Sequence, residues 1–302
     1  MIRDHIKMPE KICIVGLGQM GASIAMALKA RNSECHIIAY ARKQSDIDYA
    51  IENNVIDSGS TDPAEALKEA DLSILCLPVE PLISFVKANA GCFKKGSIVT
   101  DVSSVKSIIV EEVRPALLEA GVHFIGSHPM AGNEKSGQLN GDPNLYDRTV
   151  IFICSYPTDD PAAVNIIREF WRDLDAQPYE VDAIEHDEAV AFTSHMLHIS
   201  SSVATHNALE GDKYDLAKLA CAGSFRDTTR IAASCPKMWR DITKTNKTAI
   251  LKAMQKTIDE LEFLKQTVTD GNWDQLENYL ARGRELRERW WEDYQKIKQQ
   301  DV

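Results

Sequence analysis

A short apolar run that ends in three glycines constrains the fold of this chain more than any other stretch. The run KICIV leads into GLGQMG, and the alanine-rich segment GASIAMALKA follows. Glycines at this spacing allow a tight turn, close approach of a pyrophosphate to the backbone at a helix amino terminus, and close helix–sheet packing. We therefore predict a dinucleotide site built from Gly16, Gly18, Gln19, Met20 and Gly21. A glycine turn with a purely structural role is the alternative.

Five further apolar runs, rich in Ile and Val, follow in the first half of the chain. They are ECHIIAYA, DLSILCLP, GSIVTDVSS, VHFIGSHP and RTVIFICS, and amphipathic segments such as PLISFVKANAG separate most of them. Runs that are apolar throughout are typical of buried parallel strands, and their alternation with helical segments indicates an α/β fold. We predict a doubly wound parallel sheet in a dinucleotide-binding domain of residues 1–180.

The character of the sequence changes after about residue 180. No convincing strand pattern follows, and the helical patterns are interrupted mainly at Gly211, Gly223, Pro236 and Gly271. The first of these helices is predicted to span about residues 183–210, and its many Ala and Ser residues permit close packing against a neighbour or a second subunit. We predict an all-helical second domain, residues 181–302, for substrate binding and dimerisation.

Charge and composition exclude several classes of partner. The net charge of −11 repels phosphate backbones, so a nucleic-acid partner is not expected. The amino terminus has no apolar signal region, and no stretch reaches the roughly 18 apolar residues of a membrane span. Seven cysteines without a CxxC pair are typical of reduced thiols. We expect a cytoplasmic protein.

The end of the second predicted strand bears on which dinucleotide is bound. In NAD-binding units an acidic residue about 20 positions past the glycines often accepts the ribose 2′-hydroxyl. That position holds Ala41, followed by Arg42 and Lys43. Because a guanidinium suits the 2′-phosphate of NADP, we expect Arg42 and Lys43 to bind NADP in preference to NAD. The alternatives are that both are ordinary surface charges, or that Asp46 or Asp48 favours NAD.

Polar side chains follow two later strands, at the sheet edge where ligands bind in open α/β folds. Ser103, Ser104 and Lys106 lie in TDVSSVKS, and His128 lies in GSHPMAG. A histidine at this edge can accept a proton from a substrate hydroxyl at neutral pH. The alternatives are a serine that only caps a helix and a histidine with a structural role.

Several motifs together resemble one enzyme family. The segments GLGQMGASIA, TDVSSVK, GSHPMAGNEKSG, SHMLH and AGSFRDTTRIAASCPKMWRDI are similar, in order and separation, to those of the prephenate/arogenate dehydrogenases of tyrosine biosynthesis. The resemblance extends from about residue 10 to about residue 290. It implies a homodimer that uses NADP or NAD to decarboxylate prephenate oxidatively to 4-hydroxyphenylpyruvate, or arogenate to tyrosine, without a metal.

The resemblance also implies roles for individual residues. His128 matches the catalytic histidine that contacts the ring hydroxyl of the substrate, and Ser104 matches the serine that works with it and the nicotinamide. Arg230 matches the arginine that holds a substrate carboxylate, and His198 matches a further active-site position. The positions predicted to bind substrate are Arg230, His198, Asn133 and Lys106.

Three residues depart from the family pattern, and they bear on the preferred substrate and not on the type of reaction. Asn133 stands where threonine is common, Leu197 where proline is common, and Arg226 where lysine is frequent. They leave the choice between prephenate and arogenate open.

The same motifs permit other interpretations. A β-hydroxyacid dehydrogenase would carry a GxxGxGxxxK helix in the second domain, which is absent from the sequence, and an imine reductase would not explain His128. A non-catalytic NADP-binding sensor is a further alternative. His195, His198 and His206 share a helix face, but without an acidic or cysteine partner at ligand spacing we predict no metal site.

Overall fold

A six-stranded parallel sheet forms the amino-terminal part of the structure, a computed structural model that describes residues 8–31, 34–132 and 137–299. Its strands are β1 (Lys11–Val15), β2 (His36–Tyr40), β3 (Ser58–Ser60), β4 (Leu72–Leu75), β5 (Ile98–Asp101) and β6 (His123–Phe124). The helices are α1 (Gln19–Ala30), α2 (Gln44–Glu52), α3 (Pro63–Leu67), α4 (Val79–Asn89) and α5 (Ser107–Glu119). The strand order β3-β2-β1-β4-β5-β6 is that of a doubly wound dinucleotide-binding sheet, which confirms the predicted fold class.

Helices cover both faces of this sheet, so its central strands are buried on both sides. Along β1, Ile12 and Ile14 enter one apolar core, whereas Cys13 and Val15 enter the other. This alternation follows from the two-residue period of a strand. The strand order reverses between β1 and β4, and ligands of such sheets bind in the crevice at that point, beyond the carboxyl ends of the strands.

A second, three-stranded sheet corrects part of the predicted strand layout. It contains β7 (Gly126–Pro129), β8 (Val150–Cys154) and β9 (Gln177–Glu180), with α6 (Pro161–Asp173) before β9. β7 pairs antiparallel with β8, and β8 pairs parallel with β9. The run VHFIGSHP is therefore not one strand, since β6 and β7 belong to different sheets, and RTVIFICS does not extend the parallel sheet.

Polar contacts explain the break within VHFIGSHP. After β6 the backbone N–H of Ser127 donates to the carboxylate of Asp101 (3.1 Å), and the Ser127 hydroxyl lies 2.8 Å from that of Thr100. The indole N–H of Trp171 also donates to the Ser127 hydroxyl (3.1 Å). These side-chain contacts replace a continued strand ladder. They hold His128 within a buried strand next to the end of β5, and not after a strand as the sequence suggested.

Beyond residue 180 the described residues contain only helices and turns. The helices are α7 (Ala183–Val190), α8 (Met196–Leu209), α9 (Tyr214–Ala220), α10 (Gly223–Thr229), α11 (Pro236–Thr245), α12 (Lys247–Thr269) and α13 (Trp273–Gln299). α7 and α8 form the predicted long helix, with a π-helical turn at Ala191–His195 between them. None of the helices in the described ranges combines the length and apolar character needed to cross a membrane.

Candidate active site

The glycine turn between β1 and α1 has two crowded positions and one open position. Gly16 has φ +106°, and a Cβ added there would lie 2.8 Å from the carbonyl oxygen of Cys76. A Cβ on Gly21 would lie 2.2 Å from the carbonyl oxygen of Gly16. At Gly18, which precedes the first residue of α1, an added Cβ would have no atom of the described structure within 4 Å. Gly16 and Gly21 are therefore required by packing, whereas Gly18 leaves the helix amino terminus accessible.

The remaining predicted cofactor residues flank this crevice. Gln19 and Met20 form the first turn of α1, and the Met20 carbonyl oxygen accepts a hydrogen bond from the Tyr146 hydroxyl (2.8 Å). Arg42 and Lys43 are exposed directly after β2, between that strand and α2. Their charges can therefore reach a ligand that extends along the carboxyl ends of β1 and β2.

Lys106 is fully buried beneath the site. Its ammonium group forms an ion pair with the carboxylate of Asp101 and donates a hydrogen bond to the Ser127 carbonyl oxygen (2.8 Å). The same carboxylate accepts the backbone N–H of Ser103 (2.9 Å). Lys106 thus joins β5, the following loop and β7. In this structure its ammonium group contacts Asp101 and Ser127, and the expected contact with substrate stays a prediction.

The burial of this ion pair leads to a stability prediction. We expect Lys106→Met to lower the free energy of unfolding by about 3 kcal/mol, because the Asp101 carboxylate then stays buried without its cation. Urea denaturation followed by circular dichroism measures the change. The control is Lys87→Met, which breaks the exposed pair with Glu112 and should have a far smaller effect. Equal effects of the two substitutions would contradict a structural role for Lys106.

His128 begins a hydrogen-bonded chain of three buried side chains. Its Nδ1 lies 2.8 Å from Nε2 of His186, and Nδ1 of His186 lies 2.8 Å from Oδ1 of Asp187. Asp187 in turn accepts the backbone N–H groups of Lys106 (2.7 Å) and Ser107 (2.9 Å) at the start of α5. The chain connects β7 of the first domain to α7 and to the amino terminus of α5.

The environment of this chain sets its charge at neutral pH. Burial, together with the neighbouring His186, Lys106 and His195, holds the pKa of His128 well below its ordinary value of 6.5. Burial alone would raise the pKa of Asp187, but its hydrogen bonds from His186, Ser107 and Lys106 lower it. Asp187 is therefore a carboxylate, and the His128 ring is a neutral imidazole.

The π-helical turn places a further histidine beside this chain. Nδ1 of His195 lies 3.1 Å from the side-chain nitrogen of Asn246, which also donates to the Asp187 carbonyl oxygen (2.9 Å). Burial lowers the pKa of His195 to about 4, although the Asp187 carboxylate and the backbone of Ser104 oppose that shift. His195 is therefore neutral, and Asn246 connects it to the start of α12.

His198 and Arg230 form a second group on the helical side. The His198 ring stacks on Trp239 with centroids 3.5 Å apart, and His195 meets the same indole at 5.9 Å. Partial burial and the positive charge of Arg230 lower the pKa of His198. His198, Ile231 and Trp239 line a cavity of about 740 Å³. Arg230 itself is exposed at the start of a short 3₁₀ turn.

The structure thus brings most of the predicted site residues into two adjoining groups. His128, Ser104 and Lys106 lie at the sheet edge, His198 and Arg230 lie on the helical domain, and His195 lies between them. Asn133 falls outside the described residues. In the described ranges no group of three His, Cys, Asp or Glu side chains is arranged to hold a metal ion.

Two family models match successive parts of the chain. Residues 24–180 match the model described as prephenate dehydrogenase, nucleotide-binding domain, and residues 182–282 match the model described as prephenate dehydrogenase, dimerization domain. The chain belongs to the prephenate dehydrogenase family. Membership confirms the resemblance seen in the sequence, and it makes the chain an NAD(P)-dependent dehydrogenase that oxidatively decarboxylates prephenate or arogenate in tyrosine biosynthesis.

Individual members of the family are similar over most of their length. Prephenate dehydrogenase of Lactococcus lactis subsp. cremoris is 31% identical over 281 residues, which cover 92% of this chain and 77% of the relative. The crystal structure of A. aeolicus prephenate dehydrogenase with hydroxyphenyl propionate and NAD⁺ has a TM-score of 0.86 at 27% identity, covering 93% of this chain and 98% of that one. For Synechocystis arogenate dehydrogenase the TM-score is 0.80 at 28% identity, with 93% and 99% covered.

His186 and Asp187 were not among the site residues predicted from the sequence. They are adjacent residues on α7, and a His-Asp pair inside a helical pattern reads as part of a solvated face. The available signal was that Asp182, four residues before His186, is a helix N-cap, so that both side chains fall in the first turns of a helix packed against the sheet domain. That signal places His186 and Asp187 near the sheet domain, but it does not show that His186 contacts His128.

Proposed function

We propose that His128 is the base of the oxidative decarboxylation and that NADP is the preferred cofactor. The observation that carries the proposal is the state of His128, a buried and neutral imidazole anchored at Nδ1, at the carboxyl edge of a dinucleotide-binding sheet. A neutral imidazole whose other nitrogen is unprotonated can accept a hydroxyl proton at neutral pH.

The open position at Gly18 fits a bound dinucleotide. The space where a Cβ would stand adjoins the amino terminus of a 12-residue helix, where backbone N–H groups and the helix dipole favour a pyrophosphate. Gly16, Gly18, Gln19, Met20 and Gly21 would hold it there. A bound NADP or NAD supplies the hydride acceptor.

The other tasks of the reaction fall to side chains of this chain. His128 accepts the proton of the ring hydroxyl at Nε2 as hydride leaves the carbinol carbon. The ring carboxylate then departs as carbon dioxide, and its electron pair completes an aromatic ring. Arg230 holds a substrate carboxylate through charge-assisted hydrogen bonds, while Ser104 and His198 orient the substrate between the two groups.

We also propose that the helical domain forms a homodimer and that the domains divide at residues 180 and 181. β9 ends at Glu180, and the two family models meet at residues 180 and 182. Large apolar side chains are exposed on the helices, with Leu219 at 80% and Leu216 at 68% exposure. Exposed apolar surface of this kind is usually covered by a partner.

Turnover assays with defined substrates and cofactors test the proposal. The purified protein is mixed with prephenate or arogenate, each with NADP or NAD, and formation of reduced cofactor is followed by absorbance. We expect turnover with at least one substrate and a higher kcat/KM with NADP than with NAD. Absence of turnover in all four mixtures would overturn the proposed activity, and a higher kcat/KM with NAD would overturn the cofactor preference.

Arg42 allows a separate test of that preference. We expect Arg42→Ala to raise the KM for NADP about 10- to 100-fold, because the substitution removes a charge-assisted contact to the 2′-phosphate. The KM for NAD should stay unchanged, since NAD has no phosphate there. Steady-state kinetics with both cofactors measure the ratio, and Lys68→Ala is a control at another exposed cation of the same domain. A parallel change in both KM values would contradict the role of Arg42.

A further inference from the structure

We propose that His186 is a positioning residue that holds His128 in the tautomer with hydrogen on Nδ1 and none on Nε2. The proposal rests on the proposed function, in which His128 accepts the hydroxyl proton. It assigns to His186, through the chain of hydrogen bonds that ends at Asp187, the choice of which nitrogen of His128 is basic.

The direction of the chain is set at its Asp187 end. Oδ1 of Asp187 accepts the backbone N–H of Lys106, and Oδ2 accepts that of Ser107, at the amino terminus of α5. Backbone N–H groups can only donate, and the helix dipole at this end favours a negative charge. Both oxygens of Asp187 are therefore acceptors, and the group is a carboxylate without a proton to donate.

The tautomers of both histidines follow from that carboxylate. Because Asp187 only accepts, Nδ1 of His186, 2.8 Å away, must carry the hydrogen. The proposal takes His186 as the neutral imidazole. Its Nε2 is then an acceptor, and Nδ1 of His128 at 2.8 Å donates to it. Neutral His128 has a single ring hydrogen, so its Nε2 is left with a free lone pair.

The remaining neighbours keep this arrangement in place. Phe152 on β8 meets the His186 ring edge to face with centroids 5.4 Å apart, which limits rotation of that ring. Among the described residues, Lys106, whose charge Asp101 balances, lies near His128, Asp187 is connected to it through His186, and His195 is neutral at pH 7. In the part of the chain that the structure describes, the carboxylate that hydrogen bonds connect to His128 is that of Asp187.

The first test reads the tautomer directly, without a substitution. Protein labelled with ¹⁵N-histidine is studied by long-range ¹H–¹⁵N correlation, and the His128 signals are assigned by their loss in His128→Asn. We expect the protonated-nitrogen shift at Nδ1 and the bare-nitrogen shift at Nε2 in the wild-type protein at pH 7. A hydrogen on Nε2 of His128 would overturn the proposal.

The second test removes or replaces the acceptor. We expect His186→Leu to lower kcat about 100-fold with the KM for cofactor unchanged, because Nδ1 of His128 then has no acceptor and the tautomer is no longer fixed. His186→Gln offers a side-chain carbonyl oxygen in place of Nε2, so it should recover about 10-fold of that loss. Glu185→Gln, which removes an exposed carboxylate on the same helix, is the control and should behave as wild type.

The pH profile separates positioning from a loss of folded protein. In His186→Leu, Nδ1 of His128 loses its hydrogen-bond acceptor, and it also loses the neighbouring ring that lowers its pKa, so the acidic limb of kcat/KM moves. In His186→Gln the limb should stay near its wild-type position. A uniform loss of activity with an unmoved limb in both variants would show that His186 only supports packing and would overturn the proposal.

These outcomes are distinct from failure of the proposed function. If His128→Asn is inactive while His186→Leu has a wild-type kcat and pH profile, His128 remains the base and only the role of His186 is wrong. If His128→Asn retains full turnover, His128 is not the base, and the proposed function is wrong independently of the role of His186.

Discussion

Replacement of His128 by asparagine is expected to lower kcat about 1000-fold while cofactor affinity stays unchanged. The asparagine amide can still donate to Nε2 of His186, so the hydrogen-bonded chain and the fold of β7 should survive. What is lost is the basic nitrogen that accepts the hydroxyl proton. Steady-state kinetics give kcat, and titration of protein fluorescence with cofactor gives the dissociation constant.

The wild-type pH profile adds a second expectation for the same residue. The pKa of His128 lies below 6.5 because of burial, and the neutral form is the active one. Activity should therefore be complete above pH 6.5 and fall only as the pH drops through that lowered pKa. His123→Asn is a matched control at a half-exposed histidine on β6. A similar kcat in both variants, or an acidic limb above pH 6.5, would contradict the assignment of His128 as the base.

Replacement of two glycines of the GLGQMG motif by alanine is expected to have different effects, one on stability and the other on cofactor binding. Gly21→Ala places a Cβ 2.2 Å from the carbonyl oxygen of Gly16 and 2.9 Å from Ile14, so it should lower the free energy of unfolding by about 3 kcal/mol or more. Gly18→Ala meets no atom of the described structure within 4 Å and has an ordinary φ of −79°. It should leave stability nearly unchanged but raise the cofactor dissociation constant at least about 10-fold, because a methyl group fills the approach to the helix amino terminus.

Each of the two glycine variants serves as a control for the other, because one is expected to change stability and the other cofactor binding. Urea denaturation without cofactor reports the stability of each, and cofactor titration reports binding by the folded protein. Gly91→Ala, at a position with open space in the 3₁₀ turn after α4, is a control for a glycine outside the motif. If Gly18→Ala binds cofactor like the wild type, the pyrophosphate does not approach the backbone at Gly18.

Much of the fold was predictable because its signals are local. The apolar runs of β1, β2, β4 and β5 are each long enough to read as buried strands, and the glycine turn identifies the first βα unit. β3 was missed because Ser58–Ser60 carries no apolar side chain, and β9 because its four residues include a proline and a glutamate. Both strands form only because neighbouring strands offer backbone partners.

The site was predictable in its residue types but not in its connections. Family resemblance pointed to His128, Ser104, His198 and Arg230, and their roles stay predictions until the variants are measured. The burial of Lys106 could not be foreseen, since a lysine after a strand reads as a surface charge. Its partner Asp101 is five residues earlier, at the end of β5, and only the sheet geometry turns both side chains inward.

By itself the sequence determined the class of fold, the glycine turn and a histidine at the edge of the sheet, because each depends on residues close together in the chain. Only the tertiary structure decided which nitrogen of that histidine can be basic. His128 and His186 are 58 residues apart, and they meet because α7 packs against α5 and brings Asp187 onto two backbone N–H groups. Tautomers depend on such contacts between distant segments, and no local pattern of residues records them.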